Sequence, residues 1–561
     1  MTASLRDRPV ASDPLRRDVH ATRTLAFALA AFVLPFLVFW IAPYSGSGDT
    51  EPAELLPISI LEDGRLDFDR FYSDRPDLPY AFRRVRGRVV SAYPIAAGIA
   101  NVPAFAVARL FGVDLHARRL SLSHLTANLL ASASVVLLFL ALRKICDGER
   151  QAFFFSLVYA FATEVWSVGS RGLWQHGPSL FFLCASLWLL LRDDQRAIAL
   201  AGCTLGLAVV SRPTDALIAV PAAAWVLFRR RRASLPFLLL AAIPLAAVVF
   251  YSARSLGNPL TFGQLYRVGG WHGRILSGLA GLLVSPSRGL FVFSPVLLAS
   301  LAGAAIVARS KDPRHELLRW LLPGAAGLLA IYSAWGMWWG GASFGYRILL
   351  DLVPVLALLA AVSWTAWIGR RRALRAVFAV LFAFSAYVEV LGVWAYPTAF
   401  DDGLDLEPAR LWNVRNSELV LASRKLFGKR PGARKVEVPA VWWTRENEDD
   451  TIPGWLDASP GGKTVVGPLE ISGWAQSAKG DVEVAIALDD GRIVRPERFA
   501  RPDVARAVPE LADASHAGFR ATLPPRPGFS EETEHALTVE MRGPDGRVRR
   551  LGPVRFRWRA N

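Results

Sequence analysis

The chain has 561 residues, 53% of them hydrophobic, with a mean hydropathy of +0.30 and a formal net charge of +16. This composition excludes an ordinary soluble protein, because the apolar residues cluster into runs long enough to cross a bilayer. The positive charge does not predict a nucleic-acid partner, because the Arg residues lie in short clusters between apolar runs, as topology signals do. The three Cys residues predict no disulfide framework, because two of them lie inside apolar runs.

The first 23 residues are rich in Arg and precede the first apolar run, residues 24–43. This run is long for the hydrophobic part of a signal peptide, and no small-x-small cleavage site fits well before Tyr44. We therefore expect residues 1–23 to be cytoplasmic and the run to be an uncleaved first transmembrane helix.

Eleven apolar runs predict a mostly α-helical bundle that crosses the membrane many times within residues 24–399. The runs lie at about 24–43, 120–142, 151–168, 178–192, 196–210, 214–228, 233–253, 289–309, 317–338, 348–368 and 372–395. Another run, 93–111, is predicted not to span, because a span there would place the loop FRRRRAS outside, against the positive-inside rule. We expect it to lie at the outer interface or to re-enter.

The loops predicted to face outward differ from the Arg-rich inner loops. They carry Trp, Tyr, Gly, single Arg residues, and His176 and His272, and the longest of them, residues 44–119, follows the first helix. Trp and Tyr form interfacial belts in many membrane proteins, but such a belt does not need His and Arg beside it. The pattern predicts a polar site at the outer end of the bundle.

The C-terminal part of the chain changes in character after residue 399. Residues 400–463 are mixed and charged, which predicts a linker with short helices. From 464 to 561 apolar residues alternate and turn signals separate the runs, which predicts a small antiparallel β-sandwich on the outer face. For Trp474, Asp503 and Phe519 we favour core packing and turn capping over sugar binding.

The stretch APYSGSGDTEPAELLP presents three carboxylates, Asp49, Glu51 and Glu54, directly after the first apolar run. The same residues also resemble a helix start, so that a capping role for Asp49 is the alternative interpretation.

Several segments resemble the GT-C superfamily of integral membrane glycosyltransferases, in particular the branch of protein O-mannosyltransferases and lipid A aminoarabinose transferase. The resemblance extends over residues 20–400 and is carried by SGDTEPAELLP, YPIAAGIANVPAF, LWQHGPSLFF, SPSRGLFVFSPVLL and WWGGASFGYRILLDLVP. The commonest form in this branch has Glu directly after the Asp, whereas Thr50 intervenes here between Asp49 and Glu51. The role of Glu51 is therefore less well supported than that of Asp49.

The resemblance implies transfer of a sugar from a polyprenyl-phosphate carrier to an acceptor, with inversion at the anomeric carbon. A carboxylate, Asp49 or Glu51, would take the proton of the attacking hydroxyl. Basic groups would stabilise the leaving phosphate. The candidates for phosphate binding are Arg83, Arg84, Arg171, His176, Arg288 and Arg347.

Four of these six basic residues have a plainer interpretation. The run from Arg83 to Arg88 can attract lipid headgroups, and Arg288 or Arg347 can pair with backbone carbonyls.

No Cys/His spacing indicates a metal site, and we expect no obligatory metal or other cofactor, although a divalent metal is not excluded.

The expected partners are a polyprenyl-phosphate-linked sugar, an acceptor that is protein, lipid or glycan, and membrane lipids. The bias toward Arg over Lys favours the inner membrane of a high-GC bacterium.

Two alternative functions remain open. A polymerase or ligase of polyprenyl-diphosphate glycans would rely on the basic groups and not on Asp49. A transporter or flippase is less favoured, because no repeat relates the two halves of the chain.

Overall fold

A computed structural model describes residues 14–75, 78–261, 274–401, 404, 408–427, 454–458, 464–466, 468–476, 481–489, 491–500, 517–524, 534–544 and 548–559. The chain forms two compact units that divide between Lys429 and Arg430. His272 and Asp503, named above, lie outside the described residues.

The regular structure in the described part of the first unit is helical apart from one hairpin. The hairpin pairs β1 (Phe82–Val85) with β2 (Arg88–Ser91) in antiparallel register. The described helices, α1 to α17 in chain order, are Pro14–Ile41, Glu51–Ile58, Asp69–Tyr72, Ala96–Leu110, Leu115–Leu142, Glu149–Phe161, His176–Leu190, Gln195–Ser211, Ala216–Arg229, Arg231–Tyr251, Ile275–Val284, Leu290–Phe293, Ala299–Arg309, Glu316–Ala334, Val353–Ala366, Arg372–Trp394 and Glu418–Leu426.

Six helical segments of the described chain are long and apolar enough to cross a membrane, those that contain α1, α5, α10, α14, α15 and α16. This confirms the polytopic helical fold, while the predicted number of eleven spans stays a prediction. The predicted spans 151–168 and 214–228 overlap α6 and α9, of 13 and 14 residues. The run 93–111 contains α4, of 15 residues. The sequence did not predict α11, an apolar helix of ten residues in a supposed outer loop.

The helices of this unit differ in how much of their surface the protein covers. In the apolar stretch that contains α15, 89% of the residues are buried, against 17% in the stretch of α1 and 22% in that of α10. A helix that is apolar on all sides is stable either inside a protein core or in contact with lipid. We therefore place α15 at the centre of the bundle and expect lipid to cover much of α1 and α10.

Four of the Arg-rich loops predicted to face inward are joined by ion pairs at one end of the bundle. Arg143 lies 3.0 Å from Glu149 in the same loop, and Arg314 lies 3.2 Å from Asp147. Arg229 pairs with Glu316, and Arg230 lies 3.8 Å from Asp193. We call this side, formed by residues 143–150, 192–196, 228–234 and 308–316, the arginine-loop end.

The second unit contains two β-sheets that share one hydrophobic core. The described strands, β3 to β11 in chain order, are Gly454–Ala458, Thr464–Val466, Leu469–Ala475, Glu483–Leu488, Ile493–Val494, Glu497–Phe499, Gly518–Leu523, Glu534–Arg542 and Val548–Arg559. One sheet has the order β4-β11-β10-β6-β7 and the other β3-β5-β9-β8. All pairs are antiparallel except β4 with β11, so the predicted sandwich is confirmed with one parallel edge.

The core between these sheets takes alternate residues of five strands, including the fully buried Phe519 and Trp558. The favoured packing role of Phe519 is thereby confirmed. Trp474 is only partly buried and lies opposite Trp455 in the neighbouring strand. The segment 400–463, predicted as a linker, contributes α17 to the first unit and β3 to the second.

Close packing between α8 and α10 yields a stability prediction. A Cβ atom at Gly202 would lie 2.0 Å from the carbonyl oxygen of Phe237. We expect Gly202→Ala to destabilise the protein by about 1–3 kcal/mol, because backbone at such a distance must shift. Equilibrium unfolding in mixed micelles measures the change. The matched control is Gly327→Ala in α14, where the nearest atom, a Leu217 methyl carbon, is 3.6 Å away. Equal stability of the two variants would contradict the packing.

Candidate functional site

Asp49 lies in the loop between α1 and α2, a few residues beyond the end of the first apolar helix. Helix α2 begins at Glu51, and Thr50 occupies the capping position before it. The backbone N–H of Asp49 donates to the hydroxyl of Ser47 at 3.1 Å. The carboxylate is therefore not the cap of α2 and is directed toward other loops.

Both carboxylate oxygens of Asp49 accept hydrogen bonds. Oδ1 accepts from the hydroxyl of Tyr93 at 2.6 Å and from that of Tyr80 at 2.8 Å. Oδ2 accepts from Nη1 of Arg347 at 2.8 Å in an ion pair. The Asp49 side chain is 16% exposed and that of Arg347 is 11% exposed, so water screens this pair only in part. The structure thus joins two predicted site residues that are 298 positions apart.

Arg347 is held on three sides. Its guanidinium carbon lies 4.3 Å from the ring centre of Trp174, a cation–π contact, and its Nη2 donates to the carbonyl of Gly340 at 2.7 Å. Its Nε is buried and has no hydrogen-bond partner among the described residues. One donor of a fixed cation therefore lacks an acceptor from the described chain, which is a costly arrangement unless something else satisfies it.

Burial and charge act in opposite directions on Asp49. Burial alone raises its pKa, but the positive charge of Arg347 and the hydrogen bonds from Tyr93, Arg347 and Tyr80 lower it. The net effect is a pKa below the ordinary value of an Asp, so this carboxylate is ionised at neutral pH. Burial and the negative charge of Asp49 raise the pKa of Tyr80, whose hydroxyl stays a hydrogen-bond donor.

The other two acids of this stretch face different partners. Glu51 accepts a hydrogen bond from the hydroxyl of Tyr72. Glu54 is buried and accepts from Thr50 at 2.8 Å and from Tyr44. Burial raises the pKa of Glu54. Among the described contacts, neither acid shares a hydrogen-bond partner with Asp49.

Arg83 and Arg84 lie on β1 and point to different neighbours. Nη1 of Arg83 donates to two backbone carbonyls at 2.7 Å, one of them that of Tyr80. Arg83 is therefore connected to Asp49 through Tyr80. Nη2 of Arg84 donates to the carbonyl of Arg75 at 3.0 Å, on the preceding turn.

Arg171 bridges the ends of two helices. Its Nε donates to the carbonyl of Pro43 at 2.9 Å, and its Nη1 donates to that of Gly392 at 2.7 Å. Burial lowers the pKa of Arg171 to about 10, which leaves it charged at neutral pH. These contacts fix the exit of α1 beside the last turn of α16.

His176 belongs to a buried cluster around Asp351. Asp351 lies 2.6 Å from Nη1 of Arg212 and 3.5 Å from Nδ1 of His176. The hydroxyl of Ser179 is within hydrogen-bond distance of both Asp351 and Asp215. Arg212 is the cation of this cluster.

Arg288 lies in a third cluster, away from these contacts. It is 1% exposed and forms ion pairs of 2.6 Å with Glu418 on α17 and with Asp401. Burial alone lowers the pKa of Arg288, but the two carboxylates outweigh it and raise the pKa above the ordinary value. Two buried acids therefore already neutralise this predicted phosphate ligand.

Three site residues were not singled out from the sequence: Tyr80, Tyr93 and Trp174. All three lie in predicted outer loops, where aromatic residues were interpreted as a possible interfacial belt. Tyr80 and Tyr93 flank the hairpin, so recognition of the hairpin would have placed them together. In the described part of the chain, no group of three or more His, Cys, Asp and Glu side chains could hold a metal. The expectation that no metal is obligatory stays a prediction.

Comparison with known proteins supports the resemblance drawn from the sequence. The family model described as dolichyl-phosphate-mannose-protein mannosyltransferase matches residues 105–253, which confirms the predicted resemblance for this part of the membrane unit. No curated protein matches the chain in sequence.

The solved structures that are similar to the chain include the following two. One is ArnT from Cupriavidus metallidurans bound to undecaprenyl phosphate, with 15% identity, a TM-score of 0.40, and coverage of 73% of this chain and 76% of ArnT. The other is the oligosaccharyltransferase of Archaeoglobus fulgidus tethered to an acceptor peptide, with 15% identity and a TM-score of 0.43. That comparison covers 65% of this chain and 55% of the oligosaccharyltransferase.

The Arg288 cluster predicts a large effect on stability. We expect Arg288→Gln to cost about 3–5 kcal/mol in equilibrium unfolding, because Glu418 and Asp401 would remain buried without their cation. The double variant Arg288→Gln/Glu418→Gln should cost less than the sum of the single variants. Arg150→Gln, which removes an exposed arginine of α6, is the control and should change stability by less than about 0.5 kcal/mol. An Arg288→Gln protein of normal stability that no longer binds a polyprenyl phosphate would contradict this assignment.

Proposed function

We propose that the chain is a membrane glycosyltransferase that moves a sugar from a polyprenyl-phosphate carrier to the hydroxyl of an acceptor. Asp49 is the proposed general base of this reaction. The observation that carries the proposal is the contact between Asp49 and Arg347, an acid and a phosphate-binding type of cation, just beyond a membrane helix. The carrier's lipid tail must remain in the bilayer, so the reacting sugar lies at the membrane boundary. A carboxylate a few residues past the end of α1 meets this requirement.

In the proposed reaction, the oxygen of the acceptor hydroxyl forms a bond to the anomeric carbon of the donor sugar. The bond between that carbon and the phosphate oxygen breaks, and its electron pair leaves with the lipid phosphate. The hydroxyl proton passes to Asp49 as general base. Attack opposite the leaving phosphate inverts the anomeric carbon, and the negative charge of Asp49 also stabilises the oxocarbenium-like transition state.

Arg347 is the proposed ligand of the leaving phosphate. Its buried Nε lacks an acceptor among the described residues, and the ring of Trp174 and the carbonyl of Gly340 fix its orientation. A preorganised cation of this kind stabilises charge as it develops on the phosphate. Arg83 is the second candidate for a phosphate ligand, because it donates to the carbonyl of Tyr80, whose hydroxyl donates to Asp49.

The contact between Asp49 and Arg347 also suggests how the base is released. A carboxylate that accepts hydrogen bonds on both oxygens is a weak proton acceptor. A donor phosphate that takes over Nη1 of Arg347 frees Oδ2 of Asp49 for the acceptor hydroxyl. Donor binding would thereby precede activation of the base, which limits transfer to the loaded enzyme.

The proposal includes an orientation in the membrane. The N-terminus and the arginine-loop end are cytoplasmic, and the Asp49 site and the second unit are extracytoplasmic, in agreement with the positive-inside rule. The acceptor remains a protein, a lipid or a glycan.

Substitution of Asp49 tests its role as base. Asp49→Asn keeps the size of the side chain and an oxygen acceptor for the two Tyr hydroxyls, but an amide cannot take the proton. We expect turnover in reconstituted vesicles to fall by at least about 100-fold. Donor binding should be equal or stronger, because Arg347 loses its competing partner. The control is Asp63→Asn, which removes an exposed carboxylate paired with Arg70.

A different pair of results would overturn the role of Asp49. If Asp49→Asn retained near-normal transfer while Arg347→Gln abolished it, the carboxylate would only hold Arg347 in place. A polymerase or ligase of polyprenyl-diphosphate glycans would then be the better account. Transfer by Glu51→Gln tests the role of the second predicted acid. The carboxylate of Glu51 accepts a hydrogen bond from the hydroxyl of Tyr72.

The hydroxyl of Tyr93 predicts a change in the pH profile. Its hydrogen bond helps to lower the pKa of Asp49, so Tyr93→Phe should raise that pKa. Transfer requires the ionised form of the base and falls as the pH drops through its pKa. The acidic limb of the pH–rate profile should therefore move to higher pH in Tyr93→Phe. Tyr44→Phe is the matched control, because Tyr44 donates to Glu54. An unchanged acidic limb in Tyr93→Phe would show that Asp49 does not set it.

A further inference from the structure

A cavity of about 430 Å³ opens at the arginine-loop end, where α9 ends and α8 and α10 begin. Four consecutive arginines line it, Arg229 to Arg232, together with Asp193, Asp194 and the apolar side chains of Ile198 and Phe228. The cavity therefore combines a strongly basic rim with an apolar wall. The proposed transfer reaction uses none of these residues.

The four arginines are not equivalent. Arg229 pairs with Glu316, and Arg230 stacks 5.1 Å from the ring centre of Trp225 and lies 3.8 Å from Asp193. No carboxylate of the described chain pairs with Arg231 or Arg232, and both are exposed. Two cations at the cavity thus remain available to an external anion.

The helix that begins at these two cations continues as an apolar surface. Leu235, Leu239 and Ile243 of α10 are 67%, 60% and 61% exposed, and α10 lies in a segment long and apolar enough to span a membrane. They follow Arg231 at intervals of four residues, so all lie along one face of the helix. Arg231 and an exposed apolar stripe therefore lie along the same face of α10.

We propose that this cavity binds the phosphate headgroup of an anionic phospholipid, with its acyl chain along the stripe Leu235–Leu239–Ile243. An arginine run at a helix end is often only a solvated charged face. Two features distinguish this site from such a face. The arginines line a cavity, and the apolar stripe begins next to them. A phosphate with a long acyl chain satisfies both, and a soluble phosphate satisfies only the first.

The test compares lipids that bind to the purified full chain in detergent micelles. The micelles are doped with phosphatidylglycerol or with phosphatidylcholine of the same acyl length, and native mass spectrometry counts the bound lipids. We expect phosphatidylglycerol to be retained in preference to phosphatidylcholine. Arg231→Gln/Arg232→Gln should weaken this binding by about fivefold for each arginine removed. Arg232→Gln alone serves if the double variant does not fold.

The matched control is Arg371→Gln/Arg372→Gln. These two arginines are also exposed and also precede a long apolar helix, α16, but they do not line the cavity. The control should keep the affinity for phosphatidylglycerol. Equal losses in both double variants would overturn the proposal in favour of general surface charge. Equally tight binding of sn-glycerol 3-phosphate would overturn it in favour of a soluble phosphate ligand. Equal retention of the two lipids would overturn it as well.

Discussion

The ion pair between Asp49 and Arg347 is the interaction on which the candidate site depends. Both side chains are mostly shielded from water, and a buried charge that loses its partner costs several kcal/mol. The loop after α1 and the segment before α15 must therefore meet for either charge to be tolerated. The Tyr80 and Tyr93 hydroxyls add the hairpin to the same assembly, because both donate to Asp49. The site exists only when these three parts of the chain are in place together.

The position of Arg347 is in turn fixed from inside the bundle. A 3₁₀ segment, Arg347–Leu352, carries Arg347 at its start and Asp351 near its end. Asp351 is fully buried and lies against Arg212 and His176. A buried carboxylate needs its cation and hydrogen bonds. The contacts of Asp351 therefore fix the position of the 3₁₀ segment within the bundle. His176, predicted as a phosphate ligand, is placed to support Arg347 through this segment.

The remaining predicted cations show how an apolar bundle accommodates charge. Arg171 donates to backbone carbonyls at the ends of α1 and α16, where the last carbonyls of each helix lack intrahelical partners. Arg288 ties α17 to the segment just before α12 through Glu418. In each case the charged group is neutralised or hydrogen-bonded within the protein, as membrane-proximal ionisable groups require. Among the six predicted cations, Arg347 is the one that forms an ion pair with Asp49 in the described part of the chain.

The sequence by itself determined the class of fold, the two units and the first acid of the site. Apolar runs of spanning length, alternation in the last hundred residues and the position of Asp49 after α1 are local properties, and local periodicity reports them directly. It also determined that Arg347 is a site candidate, but not that it contacts Asp49. The tertiary structure decided which of the six basic candidates meets the acid, because that depends on contacts between segments hundreds of residues apart. It decided likewise that Tyr80, Tyr93 and Trp174 line the site and that Arg288 is neutralised by Glu418 and Asp401. An isolated Arg in a loop has the same sequence signature whether it faces a carboxylate, a carbonyl or a substrate, and only packing distinguishes these environments.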